Sequence, residues 1–332
     1  MRLPETAAVL ALRHAVRQWA GRYRPGGAAV AVALSGGADS LALTAAARAE
    51  YAVVHALVVD HGLQDGSDRV AATAAETAYA LGCCSARVLP VRVGGPGGME
   101  AAARTARYTA LEAARGDMPV LLGHTLDDQA ETVLLGLGRG SGARSIQGMA
   151  PYDEPWGRPL LEIRRGTTRE FCADLGLTPY EDPHNLSPEF TRVRLRTEVL
   201  PLLEDVLGGG AALALARTAG QLREDNAVLD ELAVELLGRA GPGAALDCAV
   251  LAAGAPAIRR RAVRAWLLDQ RVPAVTGAHL RRIDELVVAW RGQGGVAVGG
   301  GERGTRLVVV REHGRLALAR ADRVSRNRRE TS

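Results

Sequence analysis

The chain of 332 residues contains no lysine, and all 41 of its permanently basic side chains are arginines. A Walker phosphate loop needs G-x-x-x-x-G-K-[ST], so that way of holding a nucleotide is excluded. Cysteine is scarce: Cys83, Cys84, Cys172 and Cys248 include no C-x-x-C pair. Neither a zinc site nor an iron–sulfur site is therefore indicated, and reduced thiols are expected. No apolar run reaches the length of a membrane span, so no membrane partner is expected. The opening residues, Met1-Arg2-Leu3-Pro4-Glu5, lack the charged-then-apolar pattern of a signal peptide, and a cytoplasmic protein is expected. There is no internal repeat, and the sequence specifies no oligomeric state.

What is present is organised around Ser35-Gly36-Gly37-Ala38-Asp39-Ser40. The preceding run, residues 28–34, is small and apolar enough for a buried parallel strand. The following residues, 41–48, are mostly Ala and Leu and predict a helix. A strand, a glycine turn and a helix N-terminus make an anion site, because glycine admits positive φ and the helix start presents backbone N–H groups. Ser35 and Ser40 add hydroxyl donors. Asp39 is out of place beside phosphate unless it holds a Mg²⁺ that bridges to the phosphates. The loop resembles the S-G-G-x-D-S pyrophosphate loop of the ATP pyrophosphatases. That family cleaves ATP between its α- and β-phosphates and activates a substrate as the adenylate.

Hydrophobic periodicity gives the order of elements. Helices are expected at 5–22, 67–81 (capped by Ser67), 99–115, 126–137, 167–175 and 190–207. Strands are expected at 52–59, 88–93 and 119–122, with residues 139–166 loop-rich and 181–185 a turn. The glycines of 138–142 follow a helix and not a strand, so they are no dinucleotide fingerprint. Alternating strands and helices mean an α/β domain with a parallel sheet, which binds ligands at the carboxyl ends of its strands. Residues 35–40, 60–63 and 123–128 all fall there. The run Gly208-Gly209-Gly210 is the expected boundary between a catalytic domain, 1–207, and a smaller, mainly helical α+β domain, 211–320. The latter has helices at 211–238, 255–270 and 276–290 and strands at 296–298, 306–311 and 315–319. The tail, 321–332, is expected to be disordered.

Charge divides unevenly. Residues 1–210 carry 21 Arg against 24 acids, net −3, and residues 211–332 carry 20 against 13, net +7, which together give the chain's +4. A basic second half suits a polyanion such as RNA. Arg259, Arg260, Arg261 and Arg264 form its densest run, and Arg260 and Arg264 are expected to face phosphate together.

The second informative stretch is His124-Thr125-Leu126-Asp127-Asp128-Gln129-Ala130-Glu131-Thr132. Asp127 and Glu131 are i,i+4, and Asp128 and Glu131 are i,i+3, so the acids cluster on one helix. They can bind Mg²⁺, deprotonate an attacking amine or hold a cationic substrate. The spacing leaves open which of them is the base.

Six further pieces stand in order with the loop. They are Asp60-His61-Gly62-Leu63; residues 100–104 with Arg107-Tyr108; residues 123–132; Arg139-Gly140-Ser141-Gly142; Arg158-Pro159-Leu160-Leu161; and residues 182–185 with 192–201. Over roughly residues 28–205 the set resembles the tRNA(Ile)-lysidine synthetase family, with an adenine nucleotide α-hydrolase-like domain. The resemblance implies ATP and Mg²⁺ as reactants, with free L-lysine and the CAU-anticodon tRNA(Ile) as partners. ATP would adenylate C2 of the wobble cytosine, and the ε-amine of lysine would displace AMP. It places Ser35, Gly36, Gly37, Ala38, Asp39, Ser40, His61 and His124 at the nucleotide, with Asp39 on the metal. Asp39, Asp127, Asp128 and Glu131 become the catalytic acids, and Arg104, Arg107, Arg192 and Arg196 the substrate contacts. Three positions depart from the family's pattern: Thr125 stands for a His, Asp60 for an Asn and Val193 for an Asn. The rival readings are a 2-thiocytidine synthetase, a ligase of small metabolites and a non-catalytic RNA-binding protein.

Overall fold

The structure is a computed structural model that describes residues 3–24, 26–94, 98–140, 142–182, 187–241, 243–273, 275–301 and 305–322. The chain divides into two compact units, Met1–Gln221 and Leu222–Ser332.

The first unit is built on a six-stranded sheet. Its strands are β1 (Ala29–Ala33), β2 (Val53–Asp60), β3 (Ser85–Pro90), β4 (Val120–Leu121), β5 (Tyr152–Asp153) and β6 (Trp156–Gly157). They lie in the order β3-β2-β1-β4-β6-β5, with every neighbouring pair parallel except β5 and β6. Val30 to Ala33 are buried, as the continuous apolar run requires of a strand covered on both faces. The helices are α1 (Ala7–Tyr23), α2 (Ala38–Glu50), α3 (Ser67–Ala80), α4 (Met99–Ala114), α5 (Leu126–Gly138), α6 (Ala143–Ile146) and α7 (Arg165–Asp174). On α2 every residue from Ser40 to Ala47 is buried, because small side chains let the helix sink between sheet and neighbours. Order reverses between β1 and β4: β2 and β3 extend one way and β6 and β5 the other. That reversal is the place where open α/β sheets leave a crevice.

Several expected boundaries shift. Strand β3 is 85–90, not 88–93. It is an edge strand with three exposed residues, so burial does not select its register. Ser67 does not cap α3. Gly66, at φ +81, takes the cap position and Ser67 is the first helical residue. The expected helix 190–207 is three pieces: α8 (Thr191–Arg194), a π-helical stretch Leu195–Val199, and α9 (Leu200–Val206).

Gly208, Gly209 and Gly210, all at positive φ, join α9 to α10 (Ala211–Ala240). The division at Gln221 falls within α10. The second unit continues with β7 (Ala245–Asp247), α11 (Cys248–Ala253), α12 (Pro256–Asp269), α13 (Gly277–Val288), β8 (Val296–Val298), β9 (Thr305–Glu312) and β10 (Arg315–Asp322). Its sheet is antiparallel in the order β7-β10-β9-β8. Trp266, Leu251, Leu267, Ile283, Val309 and Leu316 form the core beneath it. Ala321 and Asp322, expected in the tail, belong to β10. The remainder of the tail, 323–332, and His184 and Asn185 of the expected turn lie outside the described residues.

The arginine run of α12 is not the free patch that charge counting predicts. Arg259, 4% exposed, pairs with Asp284 through Nε and Nη2 at 2.5 and 3.1 Å. Arg261 binds Asp230 at 2.7 Å and Asn226 at 2.6 Å. Arg264 donates to the carbonyl of Val275 at 3.0 Å. These side chains hold the unit together, and a charge count cannot see that.

Candidate active site

The loop after β1 is closed by its own serines. Gly36 turns at φ +84 and its carbonyl accepts from Tyr180 N at 2.9 Å. Ser40 Oγ donates to Gly37 O at 2.9 Å and accepts from Ser35 N at 3.1 Å. Ser40 thus shapes the loop, while Ser35 is exposed. Gly37 caps α2 without a side chain, which leaves the first N–H groups of the helix for a ligand. Asp39 lies in that first turn. After β4, Gly123 passes so close that a Cβ there would stand 3.1 Å from the backbone carbonyl of Asp39. A side chain at 123 would crowd the start of α2, and glycine relieves that contact.

Thr125 opens α5. Its Oγ1 accepts from Asp128 N, and Asp128 Oδ2 accepts from Thr125 N at 2.8 Å and Thr125 Oγ1 at 2.9 Å, a reciprocal capping box. The departure at Thr125 therefore has a structural role: it clamps Asp128. The other carboxylates are equally engaged. Asp127 accepts from the backbone N–H of Arg165 at 2.8 Å and from Arg164 at 3.1 Å. Glu131, fully buried, takes Arg196 on both oxygens at 2.8 and 3.2 Å. Arg165 reaches Asp39 at 3.4 Å, Asp128 at 2.5 Å and Glu131 at 3.4 Å. Thr168 Oγ1 donates to the second oxygen of Asp39. Burial works against the charge of Asp128, but the Arg165 guanidinium and the Thr125 donors outweigh it and hold the carboxyl below its ordinary range. Burial dominates at Asp39 and raises its carboxyl, against the opposing pull of Thr168 and Arg165.

Together these elements line a cleft of about 880 Å³ that also takes in His61, Arg107 and His124. Here the polarity changes. Arg107 sits on α4 with its guanidinium 6.0 Å from the Tyr108 ring, and burial lowers its pKa. The Nδ1 atoms of His61 and His124 are buried without a hydrogen-bond partner among the described residues. Burial, then the charge of Arg107, lowers both imidazoles, His124 to about 3. Both are therefore neutral at physiological pH. The folded state resists a proton on His124 that the unfolded chain accepts below about 6.5, so stability falls as pH drops from there toward 3. A His124→Asn variant is expected to lose roughly 2 kcal/mol less than the parent between pH 7 and pH 5. Urea titrations at pH 7, 6 and 5 measure this, and parallel profiles would refute it.

The structure brings Asp39, Asp127, Asp128, Glu131, His61, His124, Arg107 and Arg196 together. Arg104 and Arg192 do not line that cleft, although the charge of Arg104 acts on His124 and Arg107. Arg104 is exposed and stacks on Tyr108 at 4.9 Å. Arg192 is half-buried outside the cleft lining. Val193 is buried, so its position serves packing. Sequence reading missed Arg164 and Arg165, which follow directly on the 158–161 piece. It also missed that Arg196 stands in a π-helical stretch, a feature frequent at functional sites.

Among the described residues no group of three His, Cys, Asp or Glu side chains converges as a metal site. Mg²⁺ is usually held by one or two carboxylates plus substrate phosphates. Asp39, 25% exposed in the cleft, fits an ion that arrives on a nucleotide.

Comparison with known proteins agrees with this layout. Residues 11–203 match the PP-loop domain family, and residues 246–317 match the TilS substrate binding domain family. The chain is 70% identical to the tRNA(Ile)-lysidine synthase of Nocardia farcinica over 94% of its length and 98% of that protein. It is 62% identical to that of Rhodococcus jostii over 97% and 99%. Among solved structures, the U34-tRNA thiolase NcsA of Methanococcus maripaludis aligns with a TM-score of 0.53 at 19% identity, over 66% of this chain and 81% of that one. That is a likeness of fold.

Proposed function

We infer the chemistry of the cleft from one premise: the chain belongs to the tRNA(Ile)-lysidine synthase family. It is an ATP-dependent ligase that forms lysidine at the wobble cytidine of tRNA(Ile), so that the anticodon reads AUA in place of AUG. The amine comes from free lysine, and the reaction belongs in the cytoplasm with the tRNA pool.

The observation that carries the assignment of roles is the lining of one cleft: a phosphate loop, the carboxylates of Asp39, Asp127 and Asp128, and Arg107 with the neutral imidazoles of His61 and His124. The N–H groups of the 35–40 loop take the pyrophosphate of ATP, and Asp39 would hold the Mg²⁺ that accompanies it, which would supply charge neutralisation to the departing phosphates. Asp127, Asp128 and Glu131 make the environment for the lysine ammonium. A carboxylate held down as Asp128 is by Arg165 and Thr125 is a better cation ligand than proton acceptor. Asp128 is therefore assigned to binding the ammonium, and the open base role falls to Asp127. Arg107, for which no acid partner occurs among the described residues, takes an anionic group of the substrates. Thiolation is not favoured, since the four cysteines include no C-x-x-C pair. Burial pushes the thiols of Cys83 and Cys172 up to about 11, so neither is a thiolate at neutral pH. The test is pyrophosphate release with lysine and CAU-anticodon tRNA(Ile) supplied together or singly. Full release without lysine or without tRNA would refute the reading.

The second unit is assigned to tRNA through arginines that remain at its surface, such as Arg281 and Arg282 on α13, both exposed. Replacing both with Ala is expected to flatten the salt dependence of tRNA binding by about one log–log unit for each phosphate that is no longer neutralised. Arg259→Ala, by contrast, breaks a buried pair and is expected to cost about 3 kcal/mol of stability. Filter binding between low and moderate salt, beside thermal melting, separates the two. An unchanged slope in the Arg281/Arg282 variant would move the RNA surface elsewhere.

A further inference from the structure

Arg165 is the first residue of α7, and its backbone N–H is fixed by Asp127 at 2.8 Å. Its guanidinium meets carboxylates from two elements: Asp39 of α2, and Asp128 and Glu131 of α5. Four carboxylates, Asp39, Asp127, Asp128 and Glu131, are paired there with three arginines, Arg164, Arg165 and Arg196. Remove Arg165 and the carboxylates outnumber the cations two to one. Yet only the bond to Asp128, 2.5 Å, is short. Those to Asp39 and Glu131 are both 3.4 Å, longer than the roughly 2.7–2.9 Å of a charge-assisted bond. Arg165 thus neutralises the cluster from one firm anchor and two loose ones, which is the geometry of a displaceable cation.

Resting on the reading that this cleft receives Mg²⁺-bearing ATP and then an ammonium, we propose that Arg165 is a positioning residue that stands in for the ligand's cation between turnovers. It holds the carboxylates of α2 and α5 at their working separation and yields Asp39 and Glu131 when that cation enters. The role is exerted through the acids and needs no contact with the reacting atoms. Arg165 supplies one of the three cations that offset the cost of burying these carboxylates.

The test uses the full chain without ATP or tRNA. Arg165→Met keeps the apolar stem and removes the charge. Wild type and variant are melted at constant ionic strength in NaCl, in MgCl₂ and in free lysine. The variant is expected to melt several degrees lower in NaCl, and MgCl₂ or lysine is expected to restore at least half of the loss. Wild type is expected to move by about one degree or less. Recovery with Mg²⁺ identifies the metal as the cation that Arg165 replaces, and recovery with lysine identifies the ammonium; either result supports the proposal. Recovery with neither overturns it. Arg165→Lys, which keeps a cation, is expected to need no added cation, and a Mg²⁺ or lysine response equal to that of the Met variant would also overturn it. If Arg165→Met does not fold, Arg165→Met/Asp128→Asn removes the surplus carboxylate and is expected to fold; an unfolded double variant overturns the proposal. Because melting involves neither ATP nor tRNA, a negative outcome leaves lysidine formation untouched. A failure of the pyrophosphate assay, conversely, leaves the melting result standing.

Discussion

Asp39→Ala is expected to reduce lysine- and tRNA-dependent pyrophosphate release by about a thousandfold or more, equivalent to about 4 kcal/mol of transition-state stabilisation. The residue sits in the first turn of α2, where the amides favour an anion and a carboxylate works against one. The Mg²⁺ proposed to ride on the phosphates would account for its place. Stability should change little. Thr168 Oγ1, which donates to Asp39, also lies 2.8 Å from the Arg165 carbonyl, so its one O–H can turn to that acceptor when the carboxylate is removed. The expected loss is about 1 kcal/mol. Asp39→Asn keeps the shape without the charge and is expected to be nearly as inactive. Single-turnover pyrophosphate release beside urea unfolding distinguishes a missing ligand from a damaged fold. A wild-type rate in either variant would remove Asp39 from the chemistry.

The phosphate loop was legible because its requirements are local. A positive φ at Gly36, a strand before it and a helix after it are all written in consecutive residues. The acids of α5 were legible for the same reason, since i,i+3 and i,i+4 spacing survives folding. Arg165 was not. Its carboxylate partners lie 126, 37 and 34 residues away, and no spacing rule joins them. Arg196 was named as a substrate contact, but its bond to Glu131 spans 65 residues and runs through a π-helical stretch that helical periodicity does not announce. The α12 arginines misled in the opposite direction. Four basic residues in one run read as a surface patch, while Asp284, Asp230 and the Val275 carbonyl, which engage three of them, arrive from other elements. Short pieces escaped as well. Strand β7 has three residues and ends at Asp247, which caps α11 by accepting from Ala249 and Val250. A cap signal next to a three-residue strand carries too little hydrophobic pattern to be read as two elements.

The second large effect is structural, and it separates the two arginines of the cluster. Glu131 is the one carboxylate there with no exposure, and both its oxygens are taken by Arg196. Glu131→Gln keeps the shape but turns an amide N–H₂ toward the half-buried Arg196 guanidinium, which is left with only a 3.6 Å contact to Asp128. The expected cost is about 3 kcal/mol, the lower end of the range for breaking one side of a buried pair, because only Glu131 is fully buried. Arg196→Met is expected to cost a similar amount, because fully buried Glu131 is then left with only the long 3.4 Å contact to Arg165. The double variant Glu131→Leu/Arg196→Met is expected to cost less than the two single changes added together, since neither partner remains to be desolvated alone. Denaturant midpoints across this cycle measure the coupling. A midpoint for Glu131→Gln equal to wild type would mean the pair does not hold the π-helical stretch to α5. Cation dependence supplies the contrast with Arg165. Mg²⁺ or lysine is expected to restore Arg165→Met, where the missing element is a positive charge, and to do nothing for Glu131→Gln, where the three remaining carboxylates already face three arginines.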